Sequence, residues 1–131
     1  MKAITSKVLK GITIGTSLVC ADNSGAKTLE VIGILGVGGR KRRIASAGIG
    51  DIVIVSVKKG NVKIRKTKQK AIIVRQKTAV RRGKIRVKFE DNAAVIIDDS
   101  KLLKGSEIKG CIAREIAELY PKLAGQASSV V

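Results

Sequence analysis

The 131-residue sequence predicts a small, mainly β domain, a barrel or a sandwich, followed by a short C-terminal helix. Several short segments alternate apolar and polar residues, which is typical of strands because successive side chains point to opposite faces. Ile, Val, Leu and Ala supply most of the 44% apolar content, which also favours strands. A chain of this length forms one domain by default, so we expect a single domain over residues 1–131, with the barrel over about 1–100 and a helical region over about 101–131.

The first half of the chain predicts three strands. Alternation at residues 12–20 and 28–35 indicates two strands, and the Asp-, Asn-, Ser- and Gly-containing segment 21–26 between them favours a turn, so the pair is expected to form a hairpin. Residues 51–57 form a nearly continuous apolar run, which predicts a strand buried on both faces.

The second half predicts further short strands. Residues 62–65 and 71–75 are interpreted as a fourth strand and a candidate fifth. In residues 85–89, Ile-Arg-Val-Lys-Phe, the apolar side chains are expected to face the core and the basic ones to face outward. A turn at 90–92 then leads to a strand at 93–97, which we expect to pair with 85–89 as a second hairpin.

Near the C-terminus the spacing of apolar residues changes from that of a strand to that of a helix, which predicts a short helix after the barrel. Pro121 is expected to break or restart a helix there. The small, weakly polar segment 125–131 is expected to become ordered only against a partner. The aliphatic residues with helical spacing are Ile112, Ile116, Leu119 and Leu123.

Charge is the feature that restricts function most. The chain has 27 Lys and Arg, 10 Asp and Glu and no His, for a net charge of +17. Residues 40–88 alone hold 18 of the basic residues and one acid, so the net charge lies in the middle of the chain and both ends are close to neutral. A globular domain seldom carries this charge without a polyanionic partner to offset its self-repulsion.

The basic residues form three clusters that are candidates for RNA phosphate contacts. The first follows the glycine-rich segment 36–39, where glycines allow a backbone to approach phosphate closely and arginines can bind it in a bidentate manner. The alternative is a set of solvated loops, and a nucleotide-binding loop fits poorly because no Gly-Lys-Ser/Thr follows. The candidate RNA-binding residues are Arg40, Lys41, Arg42, Arg43, Lys58, Lys59, Lys63, Arg65, Lys66, Lys68, Arg81, Arg82, Lys84, Arg86 and Lys88.

The rare aromatic residues indicate how RNA would be read. Modules that read single-stranded bases stack them on exposed aromatic rings, but this chain has only Phe89 and Tyr120, and both are expected in the core. The protein should therefore read RNA shape and phosphates rather than base sequence.

Catalysis, metal binding and cofactors are not expected. There is no His, and Cys20 and Cys111 are interpreted as small buried residues in a reducing compartment. Consecutive Asp98 and Asp99 at a strand end point apart, so a turn is favoured over a paired-carboxylate site. The sequence has no apolar stretch long enough for a signal peptide or a membrane span, and a soluble, cytoplasmic protein is expected.

Four motifs carry a resemblance to a known family. They are Val-Cys-Ala-Asp-Asn-Ser-Gly-Ala at 19–26, Gly-Arg-Lys-Arg-Arg at 39–43, Gly-Ile-Gly-Asp-Ile-Val at 48–53, and Phe-Glu-Asp-Asn-Ala-Ala-Val-Ile at 89–96. In this order and spacing the chain resembles the universal large-subunit ribosomal protein fourteen family over essentially its whole length. Residues 113–121 are similar to the archaeal and eukaryotic branch. One departure is Cys111, where the family commonly has Pro after Gly.

The resemblance implies a five-stranded β-barrel with a protruding β-ribbon and short C-terminal helices. It implies a place in the ribosome with large-subunit rRNA, neighbouring large-subunit ribosomal proteins and, at intersubunit bridges, small-subunit rRNA as partners. It also implies that the C-terminal region docks anti-association initiation factor six. The residues of that partner surface would be Arg114, Glu115, Glu118, Tyr120 and Lys122.

Other classes share some of these features. A free-standing nucleic-acid chaperone or architectural DNA-binding protein would share the charge, but it would bind duplex DNA with comparable affinity and would not associate stably with ribosomes. A barrel that docks on anionic membrane is a weaker alternative because no amphipathic basic helix or lipidation motif is present.

Overall fold

The computed structural model describes residues 8–36 and 41–131, which form eleven strands and two short helices. The strands of the first half are β1 (Ile12–Thr13), β2 (Ser17–Cys20), β3 (Ala26–Ile34), β4 (Ser46–Ala47) and β5 (Ile52–Gly60). The remaining elements are β6 (Lys68–Arg75), β7 (Val80–Arg82), β8 (Ile85–Val87), β9 (Ala93–Ile97), β10 (Ile108–Ile112), α1 (Arg114–Leu119), α2 (Pro121–Ala124) and β11 (Ala127–Val130).

Five of the strands close a barrel in the order β2-β3-β5-β6-β9. Neighbouring strands are antiparallel except β2 and β9, which close the barrel in parallel. The ladder between β3 and β5 has register shifts, and such bulges add the local bend that a small barrel needs. The predicted five-stranded barrel is confirmed, and closure leaves none of these five strands with a free edge.

Apolar side chains are buried on both sides of the barrel wall at β6 and β9. Inside the barrel, Ala94 and Ile96 of β9 join an interior cluster. On the outer face of the same strand, Val95 packs in a second cluster with Ile116 and Leu123 from the two helices. The C-terminal region therefore covers one outer side of the barrel, which explains why all five residues of β9 are buried.

Two of the strand predictions, at residues 12–20 and 62–65, are wrong. Residues 12–20 form two short strands rather than one, because the chain turns at Gly15 (φ +91°) and β1 pairs with β4 instead of with the barrel. Residues 62–65 form a turn, and Val62 is 81% exposed. The predicted β2–β3 hairpin is confirmed. The strand predicted at residues 51–57 is present as part of β5, but the prediction that it is buried on both faces is wrong, because burial alternates and Ile52 and Ile54 are only half-buried.

The predicted hairpin between residues 85–89 and 93–97 is also wrong. β8 pairs with β7 in a separate two-stranded sheet, whereas β9 pairs with β6 and β2 of the barrel. Ile85 is 67% exposed, so the alternation in this segment does not place all its apolar residues on a core face. Phe89 is buried, as predicted. We call residues 80–87 the arginine ribbon.

The C-terminal helix restarts at Pro121, as predicted. Pro121 occupies the first turn of α2, where its missing N–H costs little, and α1 ends with the Tyr120 N–H donating to the Ile116 carbonyl. Ile112 belongs to β10 rather than to the helix. The tail is ordered by the chain itself, contrary to expectation, because β11 pairs in parallel with β10. No helix within the two described segments is long and apolar enough to cross a membrane.

Candidate nucleic-acid interface

The strand directions place the basic clusters at opposite ends of the barrel. Two connections leave from one end of the barrel, which we call the ribbon end. The β3–β5 connection contains the first cluster, and the β6–β9 connection contains the arginine ribbon. The β5–β6 connection, with the second cluster, leaves from the other, which we call the turn end. The nine residues of β5 separate the two ends by about 26 Å at strand rise. A partner that contacts both ends must span this distance.

The first cluster is exposed at the ribbon end. Lys41, Arg42 and Arg43 all lie on the surface, and none has an ion-pair partner within the two described segments. Arg42 has φ +63°, a left-handed conformation that is uncommon for a non-glycine residue. Arg40, also predicted to bind RNA, lies outside the described residues. The three described side chains are therefore available to phosphate.

The second cluster surrounds a compact turn at the turn end. The Asn61 N–H donates to the Gly25 carbonyl at 3.0 Å, which ties this turn to the β2–β3 turn. The Lys66 N–H donates to the Val57 carbonyl at 2.8 Å and closes the turn. Lys58 pairs with Glu30 at 3.3 Å. The exposed cations without an ion pair in the described part of the chain are Lys59, Lys63, Arg65, Lys66 and Lys68.

The third cluster divides between the two faces of the arginine ribbon. Arg82 is a correction to the predicted set, because its Nε and Nη2 bind the two carboxylate oxygens of Glu115, each at 2.7 Å. Its side chain is only 10% exposed, and Nη2 also donates to the Val131 carbonyl. The bond to Glu115 raises the pKa of Arg82. The exposed cations of this cluster are Arg81, Lys84, Arg86 and Lys88.

The predicted partner surface on the C-terminal helices also needs a correction. Glu115 has no exposed surface and serves the ion pair with Arg82, so it cannot contact a docked protein. Arg114 and Lys122 are exposed, and Glu118 and Tyr120 are half-buried. The Tyr120 hydroxyl donates to the Gly50 carbonyl at 3.1 Å, and burial, with a smaller effect from the Asp51 charge, raises its pKa.

Arg75, at the end of β6, binds the segment before β9 and strand β10, a role that the sequence did not reveal. Its Nε pairs with Asp91 at 2.9 Å, and its Nη1 donates to the Cys111 carbonyl at 3.1 Å. A Cβ at Gly110 would lie 2.5 Å from Nη1 and would displace the guanidinium group, and φ +77° also favours glycine at this position. In the sequence, Arg75 is indistinguishable from the cations around it.

The described residues offer no catalytic or metal-binding arrangement. Cys20 and Cys111 are free thiols, and Cys111 is half-buried rather than buried. Burial, together with a hydrogen bond from Cys20 Sγ to Asp22, raises the pKa of Cys20 to about 12, the opposite of what a nucleophile needs. Asp98 accepts bonds from backbone N–H groups in a turn, as predicted. No group of three His, Cys, Asp or Glu in residues 8–36 and 41–131 could hold a metal ion.

Comparison with known proteins identifies the family. A family model described as ribosomal protein L14p/L23e matches residues 11–131. The chain is similar to the large ribosomal subunit protein uL14 of three archaea, over the full length of both proteins in each case: 52% identity with Methanothrix thermoacetophila, 48% with Methanocella arvoryzae and 44% with Thermoplasma volcanium. The resemblance carried by the four sequence motifs is thus confirmed, and the chain belongs to the ribosomal protein L14p/L23e family.

Proposed function

We propose that this ribosomal protein binds large-subunit rRNA through the cations at both ends of its barrel. As a member of its family it is a structural component of the large ribosomal subunit and not an enzyme. The observation that carries the proposal is a set of exposed Lys and Arg side chains without ion-pair partners among the described residues. They are Lys41, Arg42, Arg43, Lys59, Lys63, Arg65, Lys66, Lys68, Arg81, Lys84, Arg86 and Lys88.

The spacing of the two ends supports a large, folded RNA as the partner. A single phosphate group or a short single strand would satisfy one end, whereas the ends are about 26 Å apart along β5. Mutual repulsion among these cations disfavours the free protein, and a polyanion that covers both ends relieves it. Lys58 can exchange Glu30 for phosphate because both partners are partly exposed, so that pair is weak.

The C-terminal surface has a different composition and a different proposed partner. Residues 89–131 hold seven acidic and five basic residues, and this mixed charge suits a protein better than RNA. The remaining surface residues, Arg114, Glu118, Tyr120 and Lys122, dock an anti-association factor of the initiation-factor-six type. Small-subunit rRNA at intersubunit bridges and neighbouring large-subunit proteins are the other proposed partners.

The salt dependence of RNA binding tests the proposal. The affinity of the purified chain for large-subunit rRNA fragments should fall linearly on a log–log plot against salt, with a slope of about −0.9 per phosphate neutralised in duplex regions. Replacing Arg42 and Arg43 with Ala should reduce that slope by roughly two. The matched control is Lys122→Ala, which removes an exposed charge from the C-terminal surface and should leave the slope unchanged. Equal slopes for all three proteins would exclude Arg42 and Arg43 from the interface, and salt-independent binding by the parent would exclude the interface as a whole.

Sedimentation distinguishes the ribosomal assignment from the alternative of a free nucleic-acid chaperone. In a sucrose gradient of native lysate at moderate salt, the protein should appear in the large-subunit and whole-ribosome peaks. Confinement to the top of the gradient, together with comparable affinity for duplex DNA, would support the chaperone instead.

A further inference from the structure

The two faces of the arginine ribbon have different surroundings. Residues directly opposite each other in an antiparallel pair project to the same side. Val80 and Val87 are opposite each other and pack in the second cluster, so this face is turned toward the protein. Arg81 and Arg86 are also opposite each other and are exposed on the other face. The ribbon therefore presents two adjacent guanidinium groups away from the core.

These two arginines line a cavity of about 230 Å³. Among the described residues, the rest of its lining is apolar and consists of Leu9, which is 52% exposed, and Ala79. The backbone of Leu9 is held in place, because its carbonyl accepts a bond from Gln76 Nε2 at 2.7 Å and Gln76 is buried. The cavity thus has an apolar wall held in place opposite two exposed, charged side chains.

The guanidinium groups have little to bind within the protein. Neither arginine has an ion pair among residues 8–36 and 41–131, and the bond from Arg81 Nε to the Gly83 carbonyl is long, at 3.4 Å. Like charges directly opposite each other on a ribbon are destabilising. A ligand that neutralises the pair would remove this cost, so the arrangement favours an anionic ligand.

The apolar wall indicates which part of an anionic ligand enters. A phosphate alone would engage the arginines but would leave Leu9 and Ala79 without a role. The flat faces of a nucleobase stack on guanidinium planes and pack against aliphatic side chains, while the attached phosphate pairs with the charge. The cavity is smaller than the roughly 300–1,000 Å³ of drug-sized sites, which suits a single base.

We propose that this cavity receives one unstacked nucleobase of RNA, from a bulge or a loop, between the guanidinium groups of Arg81 and Arg86 and the apolar wall of Leu9 and Ala79. The proposal rests on the proposed function, since it assumes that the ribbon end binds RNA. It adds that one nucleotide is recognised by its unstacked state. Bases within a regular duplex are stacked and cannot enter the cavity.

Binding to two matched RNA hairpins tests the proposal. One hairpin has an uninterrupted stem, and the other has a single-nucleotide bulge carrying 2-aminopurine. The intact chain should bind the bulged hairpin roughly 5- to 150-fold more tightly, taking the range for stacking one base on an aromatic ring as the scale. The fluorescence of 2-aminopurine should also change on binding. The charge-conserving double variant R81K/R86K should lose both the preference and the fluorescence change but keep the salt slope, because lysine has no planar group.

The matched control is Lys77→Arg, at an exposed lysine of the β6–β9 connection that lies outside both the cavity lining and the proposed RNA-binding set; it keeps the charge and should keep the preference. Equal binding of the two hairpins by the intact chain, with a normal salt slope, would overturn the cavity proposal and leave the proposed function standing. A preference that survives in R81K/R86K would show that bulge flexibility is the cause, and it would also overturn the proposal. Salt-insensitive binding of both hairpins would overturn the proposed function itself.

Discussion

Replacing Arg82 with Met removes one partner of the buried ion pair that joins the arginine ribbon to α1. Glu115 has no exposed surface and accepts both bonds at 2.7 Å, so the variant leaves its carboxylate buried without its cation. Breaking a buried pair in this way typically costs 3–5 kcal/mol. We expect Arg82→Met to lower the free energy of unfolding by about 4 kcal/mol.

The double variant R82M/E115M separates the cost of an unpaired charge from the cost of lost packing. With both charges replaced by apolar side chains of similar volume, stability should return to within about 1 kcal/mol of the parent or exceed it. Urea denaturation at pH 7 measures the unfolding free energies of the parent, Arg82→Met, Glu115→Met and the double variant, and the slope m shows whether unfolding stays two-state. Arg86→Met is the matched control, because this exposed arginine on the same ribbon has no ion pair among the described residues, and its loss should change stability by no more than about 0.5 kcal/mol.

Two results would refute the reasoning. If Arg82→Met costs no more than Arg86→Met, the bond to Glu115 does not stabilise the fold. If the double variant loses the sum of the two single losses, the two side chains are not coupled and the cost comes from packing alone.

Three further changes test the barrel. The pKa of Cys20 is raised to about 12 from its usual 9.0, so as pH rises the unfolded chain loses the thiol proton before the folded chain does. The stability that the thiol contributes is therefore fully present below pH 9.0 and is lost between pH 9.0 and 12. The difference in unfolding free energy between the parent and Cys20→Ser should narrow by up to about 1.4 kcal/mol per pH unit above 9, and a constant difference would contradict this. Asp22→Ala deprives the buried Ile96 N–H of its acceptor and should cost about 1–3 kcal/mol in urea denaturation, so a loss under 0.5 kcal/mol would argue against this bond. Gly60→Ala puts a Cβ 2.6 Å from a backbone oxygen at φ +151°. It should lower the melting temperature more than Gly15→Ala, where the positive φ is strained but the space around the Cβ is open. Equal losses would mean that backbone strain, and not the steric contact, causes the destabilisation.

Local features of the fold were predictable from the sequence. β3, β6 and β9 were found because alternation or apolar runs are properties of neighbouring residues, and the break between α1 and α2 was found because Pro121 cannot continue a helix. The pairing of β7 with β8 was missed. Residues 85–89 and 93–97 are close enough in sequence to form a hairpin, and nothing local shows that β9 is needed between β6 and β2 to close the barrel.

The candidate interface was also predictable from the sequence in part. The exposure of most cations followed from the cost of burying an unpaired charge, which requires no knowledge of the fold. Among the predicted RNA-binding residues that the structure describes, the exception is Arg82, whose partner lies 33 residues away on a helix. The sequence contains no signal for that pairing, because both residues stand among others of the same type.

By itself, therefore, the sequence determined a strand-rich chain with its positive charge in the middle, its family, and the residue types available to bind phosphate. Only the tertiary structure decided which strands pair, that the basic clusters lie at two ends of the barrel, and that Arg82 and Glu115 are withdrawn from the surface. The physical reason is that periodicity and charge are properties of neighbouring residues, whereas strand pairing and ion-pair burial depend on contacts that exist only once the barrel closes.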